Sequence, residues 1–454
     1  MPTPRIIGIE TEYGCLVDES LSQGEVINEV RDWFFENSRY GLLDLQNRGW
    51  DEPAGNGGFL FNGGRIYIDM GHLEYCTPEC TGIRELITYD RAGDHLLVRA
   101  VDELGFGDAV RFIRNNIDHY TQATFGCHEN YLMDRKAPFT EKNVLALLAF
   151  QSLRVIMTGA GRVGHAFELH AREDPQCHSG VVDAFQISQR ADYIENDFFQ
   201  WVQHNRAIVN TRDEPLSDPH RFRRLHVLHG DTNVLPAAHF LKIGATSLVL
   251  DLLEADAMPE AILENAVGTL QSLSRVCAPP WRYTNYDGRE EDAVETLGLF
   301  LACARKAFEG RDGETDAVLD LWGKVLDGLA GELDDLVGIL DWVSKKYILE
   351  RFMENEGLDW SDPWLLAQDL EYHQADPQAS LGLALSTKDG NWDPQDAEAA
   401  TLRPPERSRA RHRSELMRQA SLNGKSYSID WDHVQVTGEI MVPLIDPYAW
   451  EEGR

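Results

Sequence analysis

The chain is expected to adopt an α+β fold, and three observations in the sequence predict it. Segments such as "RIIGIETEYG" (5–14) and "FNGGRIYIDMGHLEY" (61–75) alternate apolar and polar residues with the two-residue period of a strand. Longer stretches, 139–160, 237–257 and most of 258–356, repeat apolar residues with the period of a helix. Residues 374–406 are rich in Pro, Gly, Asp and Ala and predict loops leading into a separate small unit. The resulting division is a main domain over 1–385 and a small C-terminal domain over 386–454.

In the first segment Ile7 and Ile9 alternate with Gly8, Glu10 and Glu12, so the carboxylates share a face opposite the isoleucines. In the second, Arg65, Tyr67 and Asp69 share one face and Ile66 and Ile68 the other. Taken alone, either face reads most simply as the solvated side of an antiparallel sheet. Two carboxylate-bearing strands side by side repel unless cations lie between them. All-oxygen ligands point to Mg²⁺ or Mn²⁺, and Mg²⁺ is commonly shared with a substrate phosphate. The motif therefore hints at a nucleotide.

The remaining elements follow in chain order. In "GCHENYLM" (126–133), a strand turns His128 and Asn130 to one side and Glu129 to the other, and either set is open as a site contribution. "FTEKNVLALLAFQSLRVIMTGA" (139–160) predicts one helix with Thr140 as N-cap, and "AAHFLKIGATSLVLDLLEADA" (237–257) a second, buried on a wide face. "ISQRADYIE" (187–195) and "IVNTRDEP" (208–215) are read as exposing an arginine beside acids, either as phosphate clamps or as surface ion pairs. Val318, Leu321, Trp322, Val325, Leu326 and Leu329 keep helical spacing and predict core. The chain closes with two expected strands in "SYSIDWDHVQVTGEIMVPL", joined around Thr437 and Gly438.

The formal charge of −33, from 75 acidic and 42 basic residues, argues against broad nucleic-acid binding. Arginine concentrates only in "HRFRRLH" (220–226) and "RPPERSRARHR" (403–413), where an anion or an acidic partner is expected, with Arg409, Arg411 and Arg413 the candidates in the second. Seven cysteines, with only Cys76 and Cys80 close together, predict reduced thiols. The lack of an uninterrupted apolar run or of a signal-peptide layout predicts a cytoplasmic protein without a membrane partner. There is no Walker A run, no G-x-G-x-x-G after a strand and no G-x-S-x-G elbow, so any nucleotide is held by carboxylates, metals and arginines on a sheet.

In order, "GIETEYG", "NGGRIYID", "LEYCTPEC", "FGCHENYL", "SQRADYIE", "NTRDEP" and "RFRRLHV" closely resemble the Pup ligase and depupylase family, from Gly8 to about Trp431. The resemblance implies a glutamine synthetase-like curved antiparallel sheet with helices behind it and a small C-terminal domain. It implies ATP-dependent joining of the C-terminal glutamate of a Pup-like modifier to lysines of target proteins, with Mg²⁺ as metal and a functional link to the proteasome. It places Glu10, Tyr67 and Glu74 at magnesium positions, Arg65, Thr77 and Trp431 at ATP-contacting positions and Asp69 at the catalytic base, with Glu12, His128, His226 and Arg212 as further candidates near metal or phosphate. Leu73 stands where the family usually has proline.

The family has a ligating and a depupylating branch. "GAGRVG", "SQRADYIE" and "TPEC" look more like the second, "FGCHENYL" and the overall length more like the first. Segment 30–60 is shorter than the insertion typical of depupylases, so a ligase is expected. A depupylase or deamidase, or a small-molecule carboxylate-amine ligase, are the alternatives.

Overall fold

The computed structural model describes residues 4–48, 52–119, 121, 123–164, 185–200 and 206–449. Residues 49–51, within the segment 30–60, and 450–454, within the expected C-terminal domain, lie outside them.

The long first strand β1 (Ile7–Val17) organises the sheet. It is followed by β2 (Gly41–Leu43), β3 (Gly57–Leu60), β4 (Arg65–Asp69), β5 (His72–Cys76), β6 (Val110–Ile113) and β7 (Cys127–Asp134). A side pair, β8 (Arg162–Val163) with β9 (Phe185–Gln186), precedes β10 (Asn196–Phe199), β11 (Ala207–Asn210) and β12 (Phe222–Val227). Ten of these strands form one sheet in the order β10-β11-β12-β7-β1-β5-β4-β3-β2, with β6 pairing the C-terminal half of β1. Every pair is antiparallel except β10 with β11, so the wholly antiparallel sheet implied by the resemblance gains a parallel edge.

Asp69, Met70, Gly71 and His72 make the tight turn between β4 and β5. Met70 and Gly71 both take positive φ, 46° and 92°, the two-residue hairpin geometry that matches strand twist. Leu73 lies fully buried within β5, opposite Tyr13 and Ile68, so the family proline is replaced by an ordinary core strand residue.

One face of the sheet carries the helices. Ile7 and Ile9 on β1 join one large core with Leu147, Phe150, Leu241, Leu248 and Trp322. The helix Ile83–Glu103 crosses beneath β5 at Gly93, where an added Cβ would lie 2.5 Å from the Tyr75 ring. Its Asp90 and Asp94 hold Arg114 at 2.6 Å each, and the Tyr13 hydroxyl donates to Asp94. Burial forbids leaving these charges unpaired, and the pairing pins helix to sheet.

Thr140 does cap a helix, accepting from the Asn143 N–H, but the single helix expected over 139–160 divides at Arg154 into Glu141–Leu153 and Val155–Thr158. The Arg154 guanidinium turns inward onto Glu129 at 2.6 and 2.9 Å. The helix Pro236–Glu254 is long and apolar enough to cross a membrane, yet 94% of its apolar window is buried inside the protein, which makes it the central core helix. A hairpin, β13 (Arg282–Thr284) with β14 (Glu290–Asp292), interrupts the otherwise helical stretch 258–356.

Residues 386–408 lie against the main body: Arg84 donates to the Asp393 carbonyl, Asn62 to that of Ala400 and Tyr89 to that of Arg403. The helix Arg409–Leu422 and three strands, β15 (Tyr427–Ile429), β16 (His433–Val436) and β17 (Val442–Pro443), then form a small core with Leu42, Phe59 and Phe61 of the main sheet. Three strands replace the two expected, because the chain turns at Asp430–Asp432, where the Asp430 N–H donates to the His433 carbonyl, and again at Gly438, φ 84°.

Candidate active site

Strand alternation gathers the polar groups on the sheet face opposite the core. The register places Glu10 beside Cys76 on one side and His128 on the other, Glu12 beside Glu74, and Glu74 beside Tyr67. Asn130 lies beside both Gly8 and His226. This resolves "HEN": His128 and Asn130 face the site, while Glu129 points into the core, bound to Arg154 and the Tyr131 hydroxyl.

Two groups of metal-type donors result. Glu10 is approached by His128 Nδ1 at 3.2 Å, His226 Nε2 at 3.4 Å and Asn130 Nδ2 at 3.0 Å, with Arg224 Nη1 3.9 Å away. Burial works to raise the Glu10 pKa, but His226 and His128 outweigh it and hold the carboxyl well below its usual range. Burial lowers the His226 pKa to about 4, so at neutral pH the imidazole is uncharged and able to bind a cation. The contact of the buried His226 Nε2 with Glu10, at 3.4 Å, is long. Two histidines therefore join a site expected, from the strand residues alone, to be all-oxygen.

In the second group, one carboxylate oxygen each from Glu12, Asp69 and Glu74 lies within 4.8 Å of the others. Glu12 Oε1 accepts from the Gly126 N–H at 2.8 Å and Glu74 Oε1 from the Tyr67 hydroxyl at 2.7 Å. Burial, followed by the charges of Glu10, Glu12 and Asp69, pushes the Glu74 pKa well up. Buried like charges of this kind call for a cation; the three carboxylates suit Mg²⁺ or Mn²⁺, while the two imidazoles beside Glu10 are donors that later transition metals favour. Tyr67, whose phenol burial also keeps protonated, orients Glu74 through its hydroxyl.

Beside these groups opens a cavity of about 220 Å³, lined by Glu10, Arg65, Tyr67, Thr77, Arg224, Arg409 and Trp431 among others. Arg65 is buried and held by Asp44 at 2.9 Å and Glu52 at 2.7 Å, its guanidinium 4.3 Å from the Tyr67 ring centre. Thr77 Oγ1 accepts from the Ile9 N–H at 3.0 Å.

The structure thus brings together Glu10, Glu12, Arg65, Tyr67, Asp69, Glu74, Thr77, His128, His226 and Trp431. Arg212 stands apart on an exposed loop, its Nε donating to Glu214 at 2.8 Å. Arg190, expected to be exposed, is buried and donates to the Phe125 carbonyl, because the loop before β7 folds over it. Arg409 and Arg413, expected to meet an anion or partner, are buried on Glu79, and only Arg411 of the three is exposed. Arg224 was not singled out from its arginine-rich stretch. Its two-residue offset from His226 is the signal that places it on the site face.

Acids, imidazoles and an arginine-lined cavity on one sheet face define the class: an enzyme that uses a nucleotide. The Pup-ligase protein family matches residues 5–435, and the chain belongs to that family. A depupylase of Acidothermus cellulolyticus is 34% identical over 95% of this chain and 90% of its own length. A Pup–protein ligase of Sanguibacter keddieii is 32% identical over 100% of this chain and 98% of its own. The crystal structure of the prokaryotic ubiquitin-like protein Pup with its ligase PafA superposes with a TM-score of 0.84 at 31% identity, covering 99% of this chain and 91% of that one. PafA in complex with ADP superposes with a TM-score of 0.77 at 31% identity, covering 88% and 89%.

Proposed function

We propose that the protein uses ATP to activate the C-terminal glutamate of a Pup-like modifier and joins it to lysines of target proteins. The observation that carries this reading is the placement of Glu12, Asp69 and Glu74 on the sheet face that also lines a cavity with Arg65, Thr77 and Trp431. Family membership and the ADP complex of PafA support ATP-dependent ligation.

A carboxylate is a poor acylating agent. Its γ-carboxylate oxygen attacks the terminal phosphorus of ATP, the bond to ADP breaks, and a γ-glutamyl phosphate forms. The lysine amine then attacks the acyl carbon, inorganic phosphate leaves, and an isopeptide bond remains. Lysine arrives as an ammonium with a pKa of about 10.4, so a base must take its proton. Asp69, held at the end of β4 by the tight turn, is assigned that proton. Glu10, His128 and His226, with Glu12, Tyr67 and Glu74, would hold Mg²⁺, which offsets charge on the phosphates when bound. Arg65 and Arg224 bring guanidinium groups to the cavity wall, while Arg212, paired with Glu214 on its exposed loop, is left out of the phosphate contacts. Protein targets, a link to the proteasome and a cytoplasmic location complete the reading.

The test incubates the protein with ATP, Mg²⁺, a glutamate-ended Pup and a lysine-bearing target. A mass gain of one modifier on the target supports ligation. Loss of modifier from a preformed conjugate, without ligation, would instead support depupylation, which the 34% identical depupylase favours as a second reading. Neither activity, with ATP turnover on a free amino acid, would sink both and support the small-molecule ligase.

A further inference from the structure

The arginines of the C-terminal helix converge on one acid. Arg409 Nε donates to Glu79 Oε1 at 2.7 Å, and Arg413 Nη2 and Nη1 donate to Oε2 and Oε1 at 2.7 and 3.0 Å. All three residues are at most 8% exposed, and the two guanidiniums share one carboxylate, which leaves one positive charge in excess at the cavity wall. Glu79 lies just past Thr77, in the segment that leaves β5 and lines the cavity.

The two guanidiniums also hold other segments on that side of the cavity. Arg409 Nη1 donates to the carbonyls of Leu216 at 2.6 Å and Leu444 at 2.8 Å, and its backbone N–H donates to that of Pro447 at 3.2 Å. Leu216 is a non-glycine residue at φ 49°, a conformation that persists only where its surroundings hold it. Leu216, Pro447 and Arg409 itself all line the cavity. Arg413 stacks on Trp431, 4.9 Å from the ring centre, and donates to the Trp431 and Gly63 carbonyls at 3.1 and 2.8 Å. Gly63 is where the helix seats: an added Cβ would fall 2.7 Å from that of Ala410. Phe59 meets the Trp431 ring edge-on at 5.0 Å.

We propose that Glu79, Arg409 and Arg413 are positioning residues that assemble the Trp431 wall of the nucleotide cavity from three separated chain segments. The proposal rests on the reading of this cavity as the ATP site. The cluster sets ATP affinity through Trp431, Thr77 and Leu216 and leaves the acyl and amine ends of the reaction to the other half of the face. Lysine keeps the charge of arginine but cannot bind two carboxylate oxygens, donate to a carbonyl and stack on an indole at once.

The full-length Arg413→Lys and Arg409→Lys proteins are to be compared with wild type and with Arg411→Lys, whose side chain is exposed on the same helix. ATP binding by calorimetry, KM for ATP, KM for a glutamate-ended Pup, kcat, and Tm with and without ADP are measured on each. The expected result is a rise of about tenfold in Kd and KM for ATP, equivalent to about 1.4 kcal/mol. KM for the modifier and kcat of the Arg409 and Arg413 variants stay unchanged, Arg411→Lys binds ATP as wild type does, and ADP raises Tm of the two variants less than it does in wild type. Phe59→Leu, which loosens Trp431 and the Arg413 guanidinium 5.1 Å from its ring while leaving the pairs with Glu79 in place, moves ATP affinity in the same direction and serves if the arginine variants fail to fold. Unchanged ATP affinity in these folded variants, or an equal rise in KM for the modifier, overturns the proposal. A wild-type protein that binds no ATP overturns both this and the functional reading, whereas wild-type binding with unaffected variants overturns this alone.

Discussion

Glu74 and Glu79 stand close together on the chain and are both buried, Glu74 in the acidic group and Glu79 in the cavity wall, yet their surroundings are opposite. Glu79 lies between Arg409 and Arg413, which outweigh the effect of burial and bring its pKa down to about 2. Glu74 faces Glu10, Glu12 and Asp69, and burial together with these acids drives its pKa up. Glu12 at least has the buried Arg190 guanidinium nearby, whereas the charges that act on Glu74 are all acids. The difference separates architecture from chemistry. A buried charge satisfied by its own chain holds segments together, while one left uncompensated is a place for something the chain does not supply.

The strongest way to sharpen this contrast is Asp69→Asn. Loss of a positioned base predicts a fall in ligation of about 10³-fold, read as conjugate formed per minute, with ATP affinity by calorimetry unchanged. A comparable loss of ATP binding would remove Asp69 from its assigned role. Glu74→Gln is expected to lower ligation by about 100-fold at fixed Mg²⁺, with partial recovery as Mg²⁺ is raised. In metal-free protein the same change relieves like-charge repulsion and raises Tm. A fall in Tm would mean that Glu74 is structural, as Glu79 is.

Glu79→Gln should do the reverse. It leaves two buried guanidiniums without their carboxylate and is expected to cost about 3–5 kcal/mol in urea unfolding. The acid limb of stability tests the paired class as a whole. Glu79, Glu129 and Asp90 each have a native pKa of about 2, against ordinary values of 4.5, 4.5 and 3.8. Depressed carboxylates contribute stability that is complete above their unfolded values and is lost as pH falls through the native ones. The urea midpoint should therefore hold above about pH 5 and decline steadily toward pH 2. A flat profile would show that these pairs do not differ from the unfolded chain. The smallest effect belongs to Arg411→Ala: Tm stays at the wild-type value, since its side chain is exposed, and a rise in KM for the modifier would give this arginine the partner contact expected of its stretch.

Much of the site was legible in the sequence because it lies on strands. A two-residue period assigns faces without knowledge of the fold, so Arg65, Tyr67 and Asp69 were correctly grouped, as were Glu10 and Glu12. Where periodicity allowed two answers, as for His128 and Glu129, only pairing with β1 and β12 chose between them. The helices were legible in position and blurred at their breaks. Helical spacing runs on through Arg154, and the inward turn of that residue depends on Glu129, distant in sequence.

By itself the sequence determined the α+β class, the faces of the two acidic strands and, through its motifs, the family. The tertiary structure decided which charges meet. Arginines of one short stretch look alike along the chain, but Arg409 and Arg413 are buried on Glu79 while Arg411 reaches solvent. His226 reaches Glu10 only because β12 pairs with β7 and β7 with β1. The physical reason is that the free energy of a charge is set by burial and by neighbours a few ångströms away. Local periodicity tells a residue which way to face, and only packing supplies what it faces.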